Sequence, residues 1–201
     1  VSTPDNFATI LLESVSPALT PTEKTSVANL DRVLIKYSSS YVHLDNSSYA
    51  VGINSSISTY NDVFLKTFQL ILQSSEECYR LDSEIHSNWS LDYNTSTMRL
   101  ELNDTYGYTR DGDSSYLCFT FDNNKMYASK RYTFSTSDST YSEDTTFSAK
   151  YIEYDTTNSW PELSSSGSTI NLYDSGLDFA IPKGMNPSAA SMVTNERVAW
   201  T

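Results

Sequence analysis

Five side chains in the stretch YGYTRDGDSS, from Tyr106 to Ser115, have the types and spacing for chemistry: Tyr106, Tyr108, Arg110, Asp111 and Asp113. The tyrosines offer rigid aromatic faces with hydroxyls, Arg110 a fork of donors, and the two aspartates acceptors. That mixture suits a sugar or a protein surface, because sugars present C–H patches beside hydroxyls. Asp111-Gly112-Asp113 also brings two carboxylates together, which raises calcium. The calcium-loop pattern D-x-[DN]-x-[DN]-G breaks where Ser115 and Tyr116 stand, so an ordinary Asp/Gly turn is expected and no metal. A second recognition candidate is Tyr141, Glu143 and Asp144, with Trp160 beyond the next strand. Trp160 precedes Pro161 and reads equally as a core or turn anchor.

Catalytic patterns are missing. There is no nucleophile-elbow serine, P-loop, GxGxxG or HExxH. His43 and His86 are the only histidines, each in a segment expected to face solvent. A Ser-His-Asp set can be assembled from distant residues of any chain this rich in Ser and Asp, so neither histidine is read as catalytic. Cys78, Cys118 and the histidines match no compact zinc spacing. Glycoside hydrolysis needs two acids across a cleft. Glu101, Asp111, Glu153 and Asp178 are candidates, but 25 acidic residues make chance pairs inevitable. No cofactor is expected.

The two cysteines allow one bridge across a separation of 40 residues, worth about 3–4 kcal/mol on the loop-entropy estimate. Two buried free thiols are an equally good reading. N-glycosylation sequons begin at Asn46, Asn54, Asn88, Asn94 and Asn103. With 14 Asn, 34 Ser and 22 Thr in the chain, roughly four would arise by chance, so their clustering says more than their number.

These groups need elements to position them, and the periodicity is that of strands. Val33, Ile35 and Tyr37 share one face at period two, with a partner expected at Tyr41–Leu44 and a short strand within 47–53. Phe7–Leu12 is a further short candidate. Met98, Leu100 and Leu102 share a face. So do Leu117, Phe119 and Phe121, with Cys118 opposed to them. Asp122-Asn123-Asn124 reads as a turn into a partner strand, KMYASKRYTF. A polar loop, STSDSTYSEDT, precedes FSAKYIEY, and Ile170 with Leu172 is followed by a turn at 174–176 and then Phe179 and Ile181. Residues 60–86 are ambiguous. Phe64, Phe68, Ile71, Ser75, Cys78, Leu81 and Ile85 step by three and four, which favours one helix there. FQLIL is also short enough for a buried strand, a reading that puts Lys66 on the face of Phe64 and Phe68.

The expected fold is mainly β: an antiparallel β-sandwich or barrel-like core with at most one or two short helices. It forms a single domain over 1–201, with irregular segments at 1–27 and 183–201. The net charge of -12, with no Lys/Arg run, argues against nucleic acid and anionic membranes. No apolar run approaches the roughly 18 residues that span a bilayer.

In composition this Tyr/Ser/Thr/Asn-rich, lysine-poor chain resembles viral attachment or spike domains and fungal surface proteins. That resemblance implies a non-catalytic domain on a virion surface, or an extracellular or cell-surface one, binding a host glycan or protein receptor, with a homodimer as one way to cover sheet edges. The alternatives are a secreted polysaccharide-acting hydrolase and a structural cell-wall or matrix protein.

Overall fold

The computed structural model describes residues 21–45, 50–54, 57, 60–73, 75–86, 88–105 and 114–176. They form fourteen strands and one short helix. In chain order these are β1 (Thr22–Lys24), β2 (Arg32–Tyr37), β3 (Ser40–Leu44), β4 (Val51–Asn54), α1 (Tyr60–Phe64), β5 (Thr67–Gln73), β6 (Cys78–Ser83) and β7 (Trp89–Tyr93). Then follow β8 (Leu100–Asp104), β9 (Ser115–Asp122), β10 (Lys125–Ser135), β11 (Thr140–Glu143), β12 (Lys150–Asp155), β13 (Trp160–Ser164) and β14 (Asn171–Asp174).

All fourteen belong to one open antiparallel sheet. Its spine runs β1-β14-β2-β5-β6-β9-β10-β12-β13. A side branch β3-β4 leaves β2, another, β7-β8, leaves β6, and β11 pairs with β10. The branches curl back over the spine. Single bridges join Ala50 to Glu101 and Arg99 to Glu162, bringing β4, β8 and β13 alongside one another. The sheet therefore encloses its own core, as a sandwich does, and the mainly β architecture expected from the sequence is present.

Period two explains what fills that core. Val33, Ile35, Phe68, Leu70, Leu81, Leu91, Leu102, Leu117, Phe119 and Ile152 point inward and are essentially buried. Leu34, out of phase with Val33 and Ile35, faces the other way. It packs with Tyr41 and with Val63 and Phe64 of α1 in a smaller cluster.

Several expectations need correction. The region 60–86 is not one helix. After five helical residues it becomes β5 and β6, paired from Phe68↔Ser83 to Gln73↔Cys78. Glu77, at a φ of 53°, helps turn the chain between them. The helical spacing was real but lost to tertiary packing. As strands, Phe68 and Leu70 fill the main core while Cys78 reaches Cys118. Met98 does not join Leu100 and Leu102; it takes a φ of 62° in the β7–β8 turn and is exposed. The polar loop STSDSTYSEDT contains β11, a strand with little apolar character held by β10. Within the segment 1–27, expected to be irregular, β1 pairs with β14. The strand expected at Phe7–Leu12, and Phe179 and Ile181, lie outside the described residues.

One irregularity matters for the site. Register shifts between Ala128 and Lys130, leaving Ser129 as the extra residue of a β-bulge in β10. Ser129 Oγ donates to Cys118 O at 3.1 Å. Before the bulge Met126 and Ala128 face the core. After it Tyr132 stands opposite Tyr116, and Arg131 stands opposite Leu117.

Candidate recognition surface

Tyr106, Tyr108, Arg110, Asp111 and Asp113 lie outside the described residues. What the structure does show is the pair of stems from which residues 106–113 spring, Thr105 after β8 and Ser114 before β9, both buried. Tyr141 Oη donates to Thr105 O. Phe134 N donates to Ser114 O at 2.7 Å. On the other flank Thr105 N and Oγ1 donate to Asn88 O at 2.7 and 2.6 Å. Both stems are thus tied to neighbouring β structure.

Beneath the stems lies a polar network. Arg131 donates to both oxygens of Asp92, Nε to Oδ1 at 3.0 Å and Nη2 to Oδ2 at 2.9 Å. Ser115 Oγ donates to Asp92 Oδ2 at 2.5 Å and accepts from Asn103 Nδ2 at 2.8 Å. Arg131 Nη1 also reaches Asp144 Oδ2 at 3.3 Å, and the guanidinium lies over the Tyr93 ring. Burial alone would push the Arg131 pKa down, but the hydrogen bonds and charge of Asp92 outweigh it, so the group stays cationic. A second fork is close in sequence: Arg80 grips Asp82 at 2.7 and 2.9 Å, and Ser90 Oγ donates to Asp82 Oδ1 at 2.6 Å. These bidentate pairs are the strong kind, and they rigidify what they join.

An aromatic row adjoins the forks. Tyr116 stacks on Tyr132 at 5.2 Å, Tyr141 packs against both Tyr116 and Phe134, and the Arg80 guanidinium sits 5.3 Å from the Tyr116 ring centre. Burial pushes the Tyr116 phenol up to about 12, and burial raises Tyr141 as well. Both stay neutral donors at physiological pH. The bulge at Ser129 brings Tyr132 into this row. No sequence signal marks that switch, which is why the reading from sequence missed the row.

The disulfide lies within the same strands. Cys78 and Cys118 are bonded, fully buried, with Cα atoms 5.5 Å apart. Arg80 is the register partner of Cys118, so the bridge pins β6 to β9 beside the Arg80–Asp82 fork.

The other sequence candidates separate. Tyr141 and Glu143 belong to β11 and Asp144 follows it. Trp160 starts β13, where Arg99 covers its ring at 4.6 Å and its Nε1 donates to Glu162. Glu101 stands opposite Asp92 in register, and burial, with the Asp92 charge, raises its pKa. Asp92 itself is only 1% exposed and fully engaged, which suits a structural carboxylate better than a reacting one. Glu153 accepts from Ser164 and Ser166, while Asp111 and Asp178 lie outside the described residues. Among the described residues no three of His, Cys, Asp and Glu gather to hold a metal. Nor is any described helix long and apolar enough to cross a membrane.

His43 and His86 are half-buried, not solvent-facing. Both feel Asp45, with His86 bonded to its backbone and His43 also facing Lys66 and Asp62. Lys66 is fully buried and its Nζ has no hydrogen-bond partner among the described residues. Burial lowers its pKa, and the Asp62 charge opposes that only in part.

A cleft of about 270 Å³ lies at the far end of the β9–β10 ribbon, lined by Glu23, Lys24, Phe121, Asn123, Asn124, Lys125 and Asn171 among others. Several of its polar groups already have partners. Lys24 pairs with Asp31 at 3.1 Å, Asn171 bonds Glu23, and Lys125 lies over Tyr151. Six residues of β9, from Ser115 to Thr120, separate this cleft from the Ser114 stem, roughly 23 Å at strand rise.

No protein-family model and no curated protein sequence matches the chain.

Proposed function

We propose that this protein is a non-catalytic recognition domain displayed outside the cytosol, of the kind that projects from a virus particle, binding a host glycan or protein through residues 106–113 and the aromatic row beside them. One observation carries the reading. The stems at Thr105 and Ser114 are held by a cross-linked platform of β8, β9, β10 and β11, and its Arg–Asp forks are bonded inward. A rigid scaffold under a connecting segment is the usual setting for binding. The Cys78–Cys118 bridge supports an oxidising destination, since such bonds persist outside the cytosol.

The test is direct. The protein, its disulfide verified by mass and its fold by circular dichroism, is applied to a glycan array and to host cells. Binding is expected, and replacing residues 106–113 with a Gly/Ser linker is expected to abolish it while the β spectrum persists. A folded protein that binds neither surface, or a linker variant that binds as well as the original, overturns the proposal.

A further inference from the structure

On the reading of this chain as an exported domain, we propose that, of the three sequons that lie wholly among the described residues, Asn88 and Asn94 can bear N-linked glycans and Asn103 stays bare. Glycosylation joins Asn Nδ2 to the anomeric carbon of the first sugar. The lipid-linked pyrophosphate donor leaves with the bonding pair, and the amide proton passes to the transferase. One Nδ2 hydrogen is lost, and a bulky sugar must fit where it pointed. The folded surroundings of each Nδ2 therefore decide which sequons are compatible with the native state.

Asn88 is exposed, in a turn with a φ of 65°. Its backbone carbonyl is committed to Thr105, while its side chain makes no hydrogen bond among the described residues. Asn94 occupies the β7–β8 turn. Its Oδ1 accepts from Ser96 N at 3.0 Å and Thr97 N at 3.2 Å. Those bonds survive glycosylation because the carbonyl oxygen is untouched, and the Nδ2 contact to Glu101 is long, at 3.5 Å. Asn103 is the opposite case. Its Nδ2 donates at 2.8 Å to Ser115 Oγ, which is itself bonded to Asp92 and Arg131. Ser115 is fully buried and Asp92 nearly so, leaving no volume for a sugar. Asn46 and the Ser residues completing the Asn54 sequon lie outside the described residues. A glycan on Asn88 would also flank the Thr105 stem, so it would screen one side of the proposed recognition surface.

The experiment uses the full chain behind a cleavable secretion leader in mammalian cells. Glycans are released enzymatically in ¹⁸O-water and the peptides mapped by mass spectrometry, on the secreted fraction and on disulfide-bonded protein from the lysate. Label is expected at Asn88, Asn94 or both, and none at Asn103. Ser96→Ala, which breaks the Asn94 sequon but spares the turn bonds to Asn94 Oδ1, and Asn88→Asp, which tolerates the same left-handed φ, should remove only glycan and leave the melting temperature unchanged. Asn103→Gln should remove no glycan yet lower that temperature. Label at Asn103 in the folded fraction, or both Asn88 and Asn94 bare there, overturns the inference. Mapping protein from its natural source separates the two readings. A chain bare in nature but labelled as expected under forced secretion would sink the export reading and leave the site assignment standing.

Discussion

Arg131 and Asp92, 39 residues apart in the chain, meet through two parallel hydrogen bonds of 3.0 and 2.9 Å where the carboxylate is almost wholly out of water. Removing one partner would strand the other charge in the interior. Arg131→Met is therefore expected to cost about 3–5 kcal/mol, the range for broken buried pairs. Urea denaturation checks this. A loss under 1 kcal/mol, in the range of surface pairs, would mean that solvent reaches the site.

The disulfide closes a sequence separation of 40 residues. The loop-entropy relation puts its contribution near 4 kcal/mol. Reduction, or the Cys78→Ser/Cys118→Ser double variant, should lower the urea midpoint accordingly. An unchanged midpoint would show that the crosslink does not constrain the unfolded chain.

Lys66 is a buried amine with no hydrogen-bond partner among the described residues. Methionine matches its length without the polar end. Lys66→Met should be neutral or stabilise the protein by about 1–3 kcal/mol, the cost of an unsatisfied buried polar group. Marked destabilisation in thermal melts would point to a role for the ammonium.

Acid should weaken the fold before it reaches the carboxylate range. Burial lowers the pKa of His43, helped by the Lys66 charge and opposed by Asp45 and Asp62. Burial also lowers that of His86, opposed by Asp45. As pH falls below the ordinary 6.5, the unfolded chain takes up protons that the folded chain resists, so stability falls with pH until the folded pKa values are passed. Melting temperature measured from pH 7.5 to 5 should drop, and the His43→Asn/His86→Asn double variant should flatten the slope. A slope unaltered by that variant would assign the pH dependence to other groups.

Leu30 combines a φ of 70° with 56% exposure, so its side chain adds strain and little packing. Glycine relieves the left-handed strain, worth about 1–2 kcal/mol, and gives back part of it through a freer unfolded chain. Leu30→Gly is expected to stabilise by about 0.5–1 kcal/mol in urea titrations. A loss of similar size would show that the leucine packs more than its exposure suggests.

Strands β2 and β9 were legible in the sequence because the large apolar residues on their main-core face recur at period two, even though Leu34 and Cys118 bury the opposite face as well. The Asn123–Asn124 turn was equally legible, since asparagine tolerates the φ values of 49° and 56° it requires. The region 60–86 misled because its apolar residues fit both periods, and only long-range pairing with β2 and β9 decides between them. Asp92 and Arg131 carried no signal at all. Their partnership depends on two strands meeting in space, and charges that look solvent-bound in sequence turn inward only after the sheet curls. The recognition candidates at 106–113 were read from residue type, whereas the platform under them came only from the fold.

Ser129 gives the chain a parity. Met126, Ala128, Tyr132 and Phe134 are all even-numbered and, in an unbroken strand, would look the same way; the added residue inverts the second half, sending Arg131 inward and Tyr132 outward. Deleting Ser129 would close the bulge and leave Lys130 opposite Cys118 and Arg131 opposite Leu117. Pairing it as an ordinary residue of the ladder would instead act on the three-dimensional structure as a frameshift acts on a gene, presenting every later side chain of that strand to the wrong environment while the text of the sequence stayed the same.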